Sequence, residues 1–394
     1  MGIRREKELD NTIGIYIHIP FCVSKCPYCD FRSVVSAQIP EKRYTGCILK
    51  ELSFLLKKES SFFIEKRPLE SVYIGGGTPS LLSPPAISFL IDSIRKEFSP
   101  VKDIEITLEA NPDTIDFEKL KGFKEAGINR LSIGLQSAND KDLKALGRPH
   151  SAAKGLKAFE EARKAGFENI GLDLIFGVPG QSLADWEHSV KKVIELRPEH
   201  ISMYGLTIEE GTPFHDMQQK GALALPGEEA EVEMFRLGIE LFKAGGWHHY
   251  EISNLGLPGF YSRHNNRYWL GKDYLGLGVS AHSYLSRPDW GRRWWNELAP
   301  SSYMARIEEQ GIAIAGCEDL SRDDAVNEAL ILGLRMLERG INGEDFRRKF
   351  GVYPKEVFRN WAELEEKGFV RSSGQDLLLT SEGVLVANEI LLRI

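Results

Sequence analysis

Six short β-rich runs, each followed by a helical segment, constrain this chain more than any other feature. They are Ile13–Ile19 (IGIYIHI), Ser71–Gly77 (SVYIGGG), Ile104–Ala110 (IEITLEA), Arg130–Gln136 (RLSIGLQ), Ile170–Gly177 (IGLDLIFG) and His200–Leu206 (HISMYGL). Several are apolar on successive residues, the pattern of strands buried on both faces. The segments between them carry helical spacing. TIDFEKLKGFKEAG sets Ile115, Leu120 and Phe123 near one face and stops at Gly127, and SAAKGLKAFEEARKAGF stops likewise at Gly166. Strands that alternate with helices make right-handed βαβ units and a parallel sheet. An α/β fold is expected, a partial (β/α)6 barrel over residues 1–207.

The chemistry-bearing residues share a position in this pattern. The segment CVSKCPYC follows the first run and GGGTPS closes the second. Glu109 and Asn111 close the third, Gln136 closes the fourth, and Asp173 lies late in the fifth, ahead of FGVPGQ. Each alone reads as a flexible turn, a solvated carboxylate or a core hydrogen-bonder. Parallel α/β barrels collect their chemistry at the carboxyl ends of the strands, so together they predict one site across the barrel mouth. After about residue 207 the pattern changes. Residues 208–300 read as a barrel extension, first mostly helical, then aromatic and turn-rich from Tyr250 to Trp295. Residues 301–394 read as a mostly helical C-terminal module. From about Leu320 it runs as three helices, a short hairpin around FVRSSGQDLLLT and a last helix, a winged-helix-like order. The module has more acidic than basic residues, against a DNA-reading wing, so a packing or protein-contact role is expected.

Three of the five cysteines, Cys22, Cys26 and Cys29, fall within eight residues. The 394-residue chain has a net charge of −7, which argues against a nucleic-acid partner. Its start is charged, and no stretch nears the roughly 18–20 apolar residues of a transmembrane helix. A cytoplasmic protein is expected, where thiols stay reduced and disulfides are the weakest reading of the triplet. Zinc and an iron–sulfur cluster remain. Structural zinc is nearly always four-coordinate and commonly built from paired CxxC knuckles. Cys47 and Cys317 are isolated, and His18 lies inside the first run. A [4Fe–4S] cluster normally takes four cysteines; three leave one iron open to a small chelating molecule such as an amino acid.

With YIHIPFC before it and GGGTP after it, CxxxCxxC behind the first strand of a partial barrel resembles the radical S-adenosylmethionine (SAM) superfamily. The resemblance implies a [4Fe–4S] cluster held by Cys22, Cys26 and Cys29, with the methionine part of SAM on the fourth iron. CPYCDF, YIGGGTPS, LEANP, RLSIGLQS, LGRPH, LDLIFGVPGQ and HNNRYW extend the likeness over most of the chain. They resemble the oxygen-independent coproporphyrinogen III oxidase-like family, and within it the HemW, or heme-chaperone, branch. By that resemblance Tyr16, Gly76 and Glu109 match positions that contact the cluster-bound SAM. Tyr28, Gly77, Thr78, Gln136, Arg148 and Asp173 match positions that line a second SAM site in the porphyrinogen-oxidising relatives. Those relatives carry a further cysteine two residues past the third, where this chain has Phe31, and a longer segment before the motif. No catalytic residue is assigned.

HNNRYW, His264 to Trp269, has the form HNxxYW, which the heme-chaperone branch associates with heme. Neutral imidazole is a common axial ligand of heme iron. Tyr261, Tyr268, Trp269 and Tyr274 offer flat surfaces to a porphyrin. His264 is therefore the expected heme ligand, with His282, His248 and His249 as competitors. The resemblance implies a heme chaperone that carries the cluster and SAM and hands heme to an acceptor heme protein, a membrane-bound respiratory enzyme being one such acceptor. It also admits a homodimer. The alternative is a radical enzyme of the coproporphyrinogen III dehydrogenase type, which Phe31 disfavours. A zinc-stabilised protein without a redox role is a third reading.

Overall fold

The computed structural model describes residues 11–392 and 394. The six runs form consecutive parallel strands: β1 (Ile13–Ile19), β2 (Leu69–Gly76), β3 (Pro100–Ala110), β4 (Arg130–Gln136), β5 (Ile170–Phe176) and β6 (His200–Gly205). In a strand successive side chains point to opposite faces. In β1 every residue but Tyr16 is buried, so both faces are covered. The intervening helices Pro84–Glu97, Phe117–Glu125, Ala152–Lys164 and Leu183–Leu196 begin at Ser83, Asp116, Ser151 and Ser182, whose side chains each accept a first-turn backbone N–H. Gly127 and Gly166 follow their helices with φ of +99° and +89°, the left-handed stop that glycine adopts without strain.

The sheet runs on past both ends of the six strands, to twelve in all. On the β1 side Tyr274–Leu277 pairs parallel to β1, and His282–Leu285, Arg292–Asn296 and Ile314–Asp319 follow antiparallel. Beyond β6 lie Asn254–Gly256 and His248–Glu251, also antiparallel. The stretch expected to be merely turn-rich thus holds five strands. Each has five residues or fewer, too few for a period of two to be visible between glycines and turns.

A second apolar core forms around Leu330, Phe346, Trp361 and Leu377. Its order is Arg322–Leu334, Gly343–Phe350, a short Pro354–Val357 and Trp361–Glu366, then the hairpin Val370–Ser373/Asp376–Leu379 and two short helices. That is one helix more before the hairpin than expected, and the last helix is split. The module packs on the sheet extension: Trp290 stacks on Phe350 with centroids 6.1 Å apart, and Leu337 N–H donates to Tyr250 O at 2.9 Å. Among the described residues no helix is long and apolar enough to cross a membrane.

Candidate functional site

Parallel register carries the polar residues to one end. Glu109 lies opposite Ser132, and Asp173 opposite Ser202, so carboxylates and hydroxyls form a row near the carboxyl edge of β3 to β6. Above that row opens a cavity of about 550 Å³. The Cys loop forms its rim, with Cys22, Cys26 and Cys29 on one wall beside Tyr28. The loop doubles back on itself: Val34 N–H donates to Pro20 O at 2.7 Å and Ser36 N–H to Cys22 O at 3.1 Å. Cys29 N–H closes a turn onto Cys26 O at 3.1 Å. Gly76, Gly77 and Thr78 line the wall above β2, and Gln136, Arg148 and Asp173 the opposite one. Eleven of the twelve residues expected to bind cluster or SAM, Glu109 among them, therefore line one cavity.

The thiols are not left to solvent. Thr78 Oγ1 donates to Cys22 Sγ at 3.5 Å, and Arg148 Nη1 to Cys26 Sγ at 3.6 Å. A Cβ at Gly77 would stand 2.9 Å from Cys22 Sγ and 2.8 Å from Phe21 O, so only glycine lets the backbone come this close to the thiol. Burial raises the Cys29 thiol above its ordinary value, and the neighbouring Cys26 and Cys22 add to the rise against the Phe31 backbone. Among the described residues no three His, Cys, Asp or Glu side chains are grouped to hold a single metal ion. A zinc ion would draw its sulfurs to about 2.3 Å of one point. A [4Fe–4S] cluster instead takes a separate iron for each thiolate, and three cysteines lining one cavity are a donor set of that kind.

The interior of the cavity carries both signs of charge. Glu109 is pushed up to about 7, first by burial and then by Asp173; Tyr73 Oη, donating at 2.8 Å, and Gly76 N–H, at 3.0 Å, pull the other way. Gly76 makes that bond from a φ of +116°, open to glycine alone. Burial also raises Asp173, against hydrogen bonds from Ser202 and Ser132, the latter at 3.0 Å. Opposite stand Arg148 and Arg130, each with a buried Nε that has no partner. Burial raises the Tyr28 phenol and Arg148 opposes the rise. Gln136 ends β4 at φ +65°, a left-handed conformation that costs a non-glycine residue on the order of 1–3 kcal/mol. Such strain is held where the fold over-determines it, here where Gln136 meets Gly134 and Arg148. Two acids, two partnerless guanidinium nitrogens and an open thiol wall suit a ligand with a cationic centre and an amino-acid end, which SAM has.

Two expected residues are placed elsewhere. Tyr16 is not on the cavity wall; it stacks behind Tyr73, centroids 6.2 Å apart, with its Oη 2.9 Å from His18 Nδ1. His264 is 1% exposed, and both ring nitrogens are used: Nδ1 lies 2.8 Å from Ser71 Oγ and Nε2 2.8 Å from Tyr268 Oη. Burial, with Arg267 and Arg130, lowers it to about 3, so the ring is neutral. In this arrangement both His264 nitrogens are engaged, in a packed bridge between β2 and Tyr268, so ligation of an iron would need one of the two contacts released. The competitors are freer: His249 engages only Nε2, 3.0 Å from Ile252 O, His248 engages only Nδ1, 3.1 Å from Glu338 Oε1, and exposed His282 stacks on Trp295 at 5.8 Å with neither ring nitrogen hydrogen-bonded among the described residues. Sequence reasoning missed Tyr73, Arg130 and Tyr204 on the cavity wall. A signal was present for Arg130, a charge opening an otherwise apolar run.

Comparison with known proteins places the chain in a family. A family model described as the radical SAM superfamily matches residues 16–193, and one described as the HemN C-terminal domain matches residues 320–386. The heme chaperone HemW of Bacillus subtilis (strain 168) is 38% identical over 95% of this chain and 97% of its own. The heme chaperone HemW of Escherichia coli (strain K12) is 34% identical over 96% of this chain and 97% of its own. Among solved structures, coproporphyrinogen III oxidase (HemN) from Escherichia coli, a radical SAM enzyme, superposes with a TM-score of 0.81 over 98% of this chain and 90% of that one, at 23% identity. That last likeness shows the fold alone; the radical SAM superfamily model over residues 16–193 is what implies a [4Fe–4S] cluster and SAM. With more than a third of its residues identical to such a relative over nearly the full length of both, this chain belongs to the HemW family of the radical SAM superfamily.

Proposed function

We propose that this chain is a heme chaperone that binds heme, carries a [4Fe–4S] cluster with SAM, and passes heme to an acceptor heme protein. The observation that carries the reading is the near full-length likeness to relatives named heme chaperones. Phe31 adds to it. Its ring stands 59% exposed at the cavity rim, in the place where the oxidising relatives carry a thiol, and an aromatic ring cannot ligate iron. The cluster, when bound, supplies an open iron and a redox couple. Cys22, Cys26 and Cys29 hold it; Thr78 and Arg148 keep hydrogen bonds on two of the sulfurs. Gly76 and Gly77 let the β2 end approach a ligand, Glu109 and Asp173 face its cationic groups, and Gln136, Arg148 and Tyr28 close the far side. Tyr16 acts from behind, by fixing the Tyr73 ring that donates to Glu109. Whether the acceptor is a membrane-bound respiratory enzyme, and whether the chain dimerises, belong to the same proposal.

The transfer itself is the test. Anaerobically reconstituted protein is loaded with hemin, separated from free hemin, and offered to an apo heme protein. The Soret band is expected to move to the acceptor. Decarboxylation of coproporphyrinogen III under reductant and SAM would instead favour the oxidase.

Glu109 also makes SAM binding depend on pH. The carboxyl is protonated below about 7 and charged above it. SAM carries positive charge, so its affinity is expected to rise as pH rises through 7. Glu109→Gln should weaken SAM by roughly tenfold at pH 8, the size of a lost charge-assisted contact, and should flatten the profile. An unchanged slope in the variant, followed by calorimetry, would show that another group sets it.

A further inference from the structure

Gln136 is held in its left-handed turn by groups that lie outside the cluster cavity. Ser137 N–H donates to Leu135 O at 2.9 Å, around the Gln136 φ of +65°. A bond from residue i+2 back to residue i around a positive φ is the γ-turn pattern that is rare and strained. The Gln136 amide comes to rest over Gly134, where a Cβ would stand 2.8 Å from Gln136 Nε2 and 3.5 Å from Arg148 Nη2. It therefore meets the cavity beside the guanidinium.

Both flanks of the turn are clamped. On one side His150 Nε2 lies 3.1 Å from Leu135 O. On the other the clamp ends in one carboxylate. Asp142, from the short Asp140–Ala145 helix, is fully buried and does not line the cavity. Its Oδ2 accepts from Ser137 Oγ at 2.9 Å and from Gln181 Nε2 at 2.8 Å. A hydroxyl has one hydrogen to give. Ser137 Oγ gives its hydrogen to Asp142 and accepts Asn139 N–H at 3.0 Å, so at the 3.0 Å contact with Ser189 the Ser189 hydroxyl donates. Ser189 Oγ in turn accepts Ala138 N–H at 3.2 Å. Gln181 Oε1 accepts Gly177 N–H at 3.0 Å, so the same carboxylate also fastens the loop after β5.

Burying a carboxylate is costly, and Asp142 Oδ1 is buried without a partner among the described residues. The loops that Oδ2 ties together are what its presence serves, and the strained residue of those loops is Gln136.

We propose that Asp142 is a positioning residue for SAM, acting through Ser137 to hold Gln136 in the left-handed turn that brings its amide to the cavity. The inference rests on the SAM site given under Proposed function.

Anaerobically reconstituted full-length protein tests it, with SAM affinity read by calorimetry and hydrogen exchange read across residues 135–139 without SAM. Asp142→Leu keeps the bulk and removes the acceptor. It is expected to quicken exchange in that segment and to weaken SAM by about tenfold, the order at which backbone strain of this kind acts. Iron and sulfide should stay at the wild-type content. Asp142→Asn keeps one oxygen for both donors and should bind SAM within about twofold of the wild type. Gln136→Gly adopts the positive φ without a clamp. In that background Asp142→Leu should cost no more than about twofold in SAM affinity, because the strain it releases is gone. A loss of equal size in both backgrounds makes Asp142 structural only and overturns the proposal, as does unchanged exchange or wild-type affinity in Asp142→Leu. If Asp142→Leu does not fold, Ser137→Ala cuts the same link, and the comparison of the two backgrounds decides with it instead. No SAM binding by the wild type overturns the SAM site itself and the positioning role with it.

Discussion

Serine at Cys22, Cys26 and Cys29 together brings iron and acid-labile sulfide to background in the anaerobically reconstituted protein, and the broad cluster absorbance vanishes with them. The size of the expected effect comes from the number of tethers. Three thiolates are the whole protein ligation of a site with one open iron, and a serine hydroxyl does not ionise to replace a thiolate at neutral pH. Each single variant removes a third of the tethers and should lose most of the cluster. The remaining cysteines cannot substitute. Cys47 is buried in the Glu41–Leu55 helix, with its thiol 3.9 Å from Met304 O, and Cys317 is exposed on the Ile314–Asp319 edge strand. The fold should survive, because the triplet lies on a loop outside the apolar core that holds β1 to β6. A thermal midpoint near the wild type with no cluster is the expected pair of readings. Full iron and sulfide in the triple variant would remove the basis of the proposed site.

Much of that site was legible because of how parallel strands are built. A strand covered on both faces leaves an apolar run, and polar residues at its end then stand out, as Glu109, Gln136 and Asp173 do. Their convergence follows from parallel pairing alone. What was not legible depends on partners far away in sequence. Tyr73 reads as one more aromatic in a strand until Glu109 and His264 are seen against it. Nothing local marks Gln136 as left-handed, since glycine is the residue that advertises that conformation. His264 shows the same limit from the other side. A histidine in an aromatic motif reads as a ligand, and only the approach of Ser71, 193 positions earlier, shows that both nitrogens are engaged. The rings of Tyr268, Trp269 and Tyr274 were legible as a group, but the C-terminal residues packed opposite them were not, because those belong to a separately built core.

The same motif contains the residue whose environment is most costly to disturb. Arg267 is 1% exposed and buries a full charge where the starts of β1, β2 and Tyr274–Leu277 converge. Its Nη1 donates to Glu70 Oε2 and, at 2.9 Å, to Thr12 Oγ1; Nη2 donates to Thr12 O at 2.8 Å and Asp273 O at 2.7 Å; Nε reaches Asp273 O at 3.2 Å. Room for the stem depends on Gly14, where a Cβ would stand 2.6 Å from Arg267 Cδ. Glu70→Ala removes the only carboxylate that touches this guanidinium among the described residues and strands the charge. Breaking a buried pair in this way costs about 3–5 kcal/mol. For a chain of 394 residues the thermal midpoint is expected to fall by roughly 4–6 °C. Hydrogen exchange should quicken across the Arg263–Trp269 helix before the rest of the barrel, because the ion pair ties that helix to β2 alongside the His264 contact with Ser71. The double variant Glu70→Leu/Arg267→Met, with apolar stems of similar bulk and no charge, should recover much of the loss, as replaced buried pairs do. Recovery of the midpoint with exchange at the helix still fast would make the Arg267 pair a specific tether for that helix. A Glu70→Ala protein as stable as the wild type would mean that water or the Asp273 and Thr12 carbonyls carry the charge unaided.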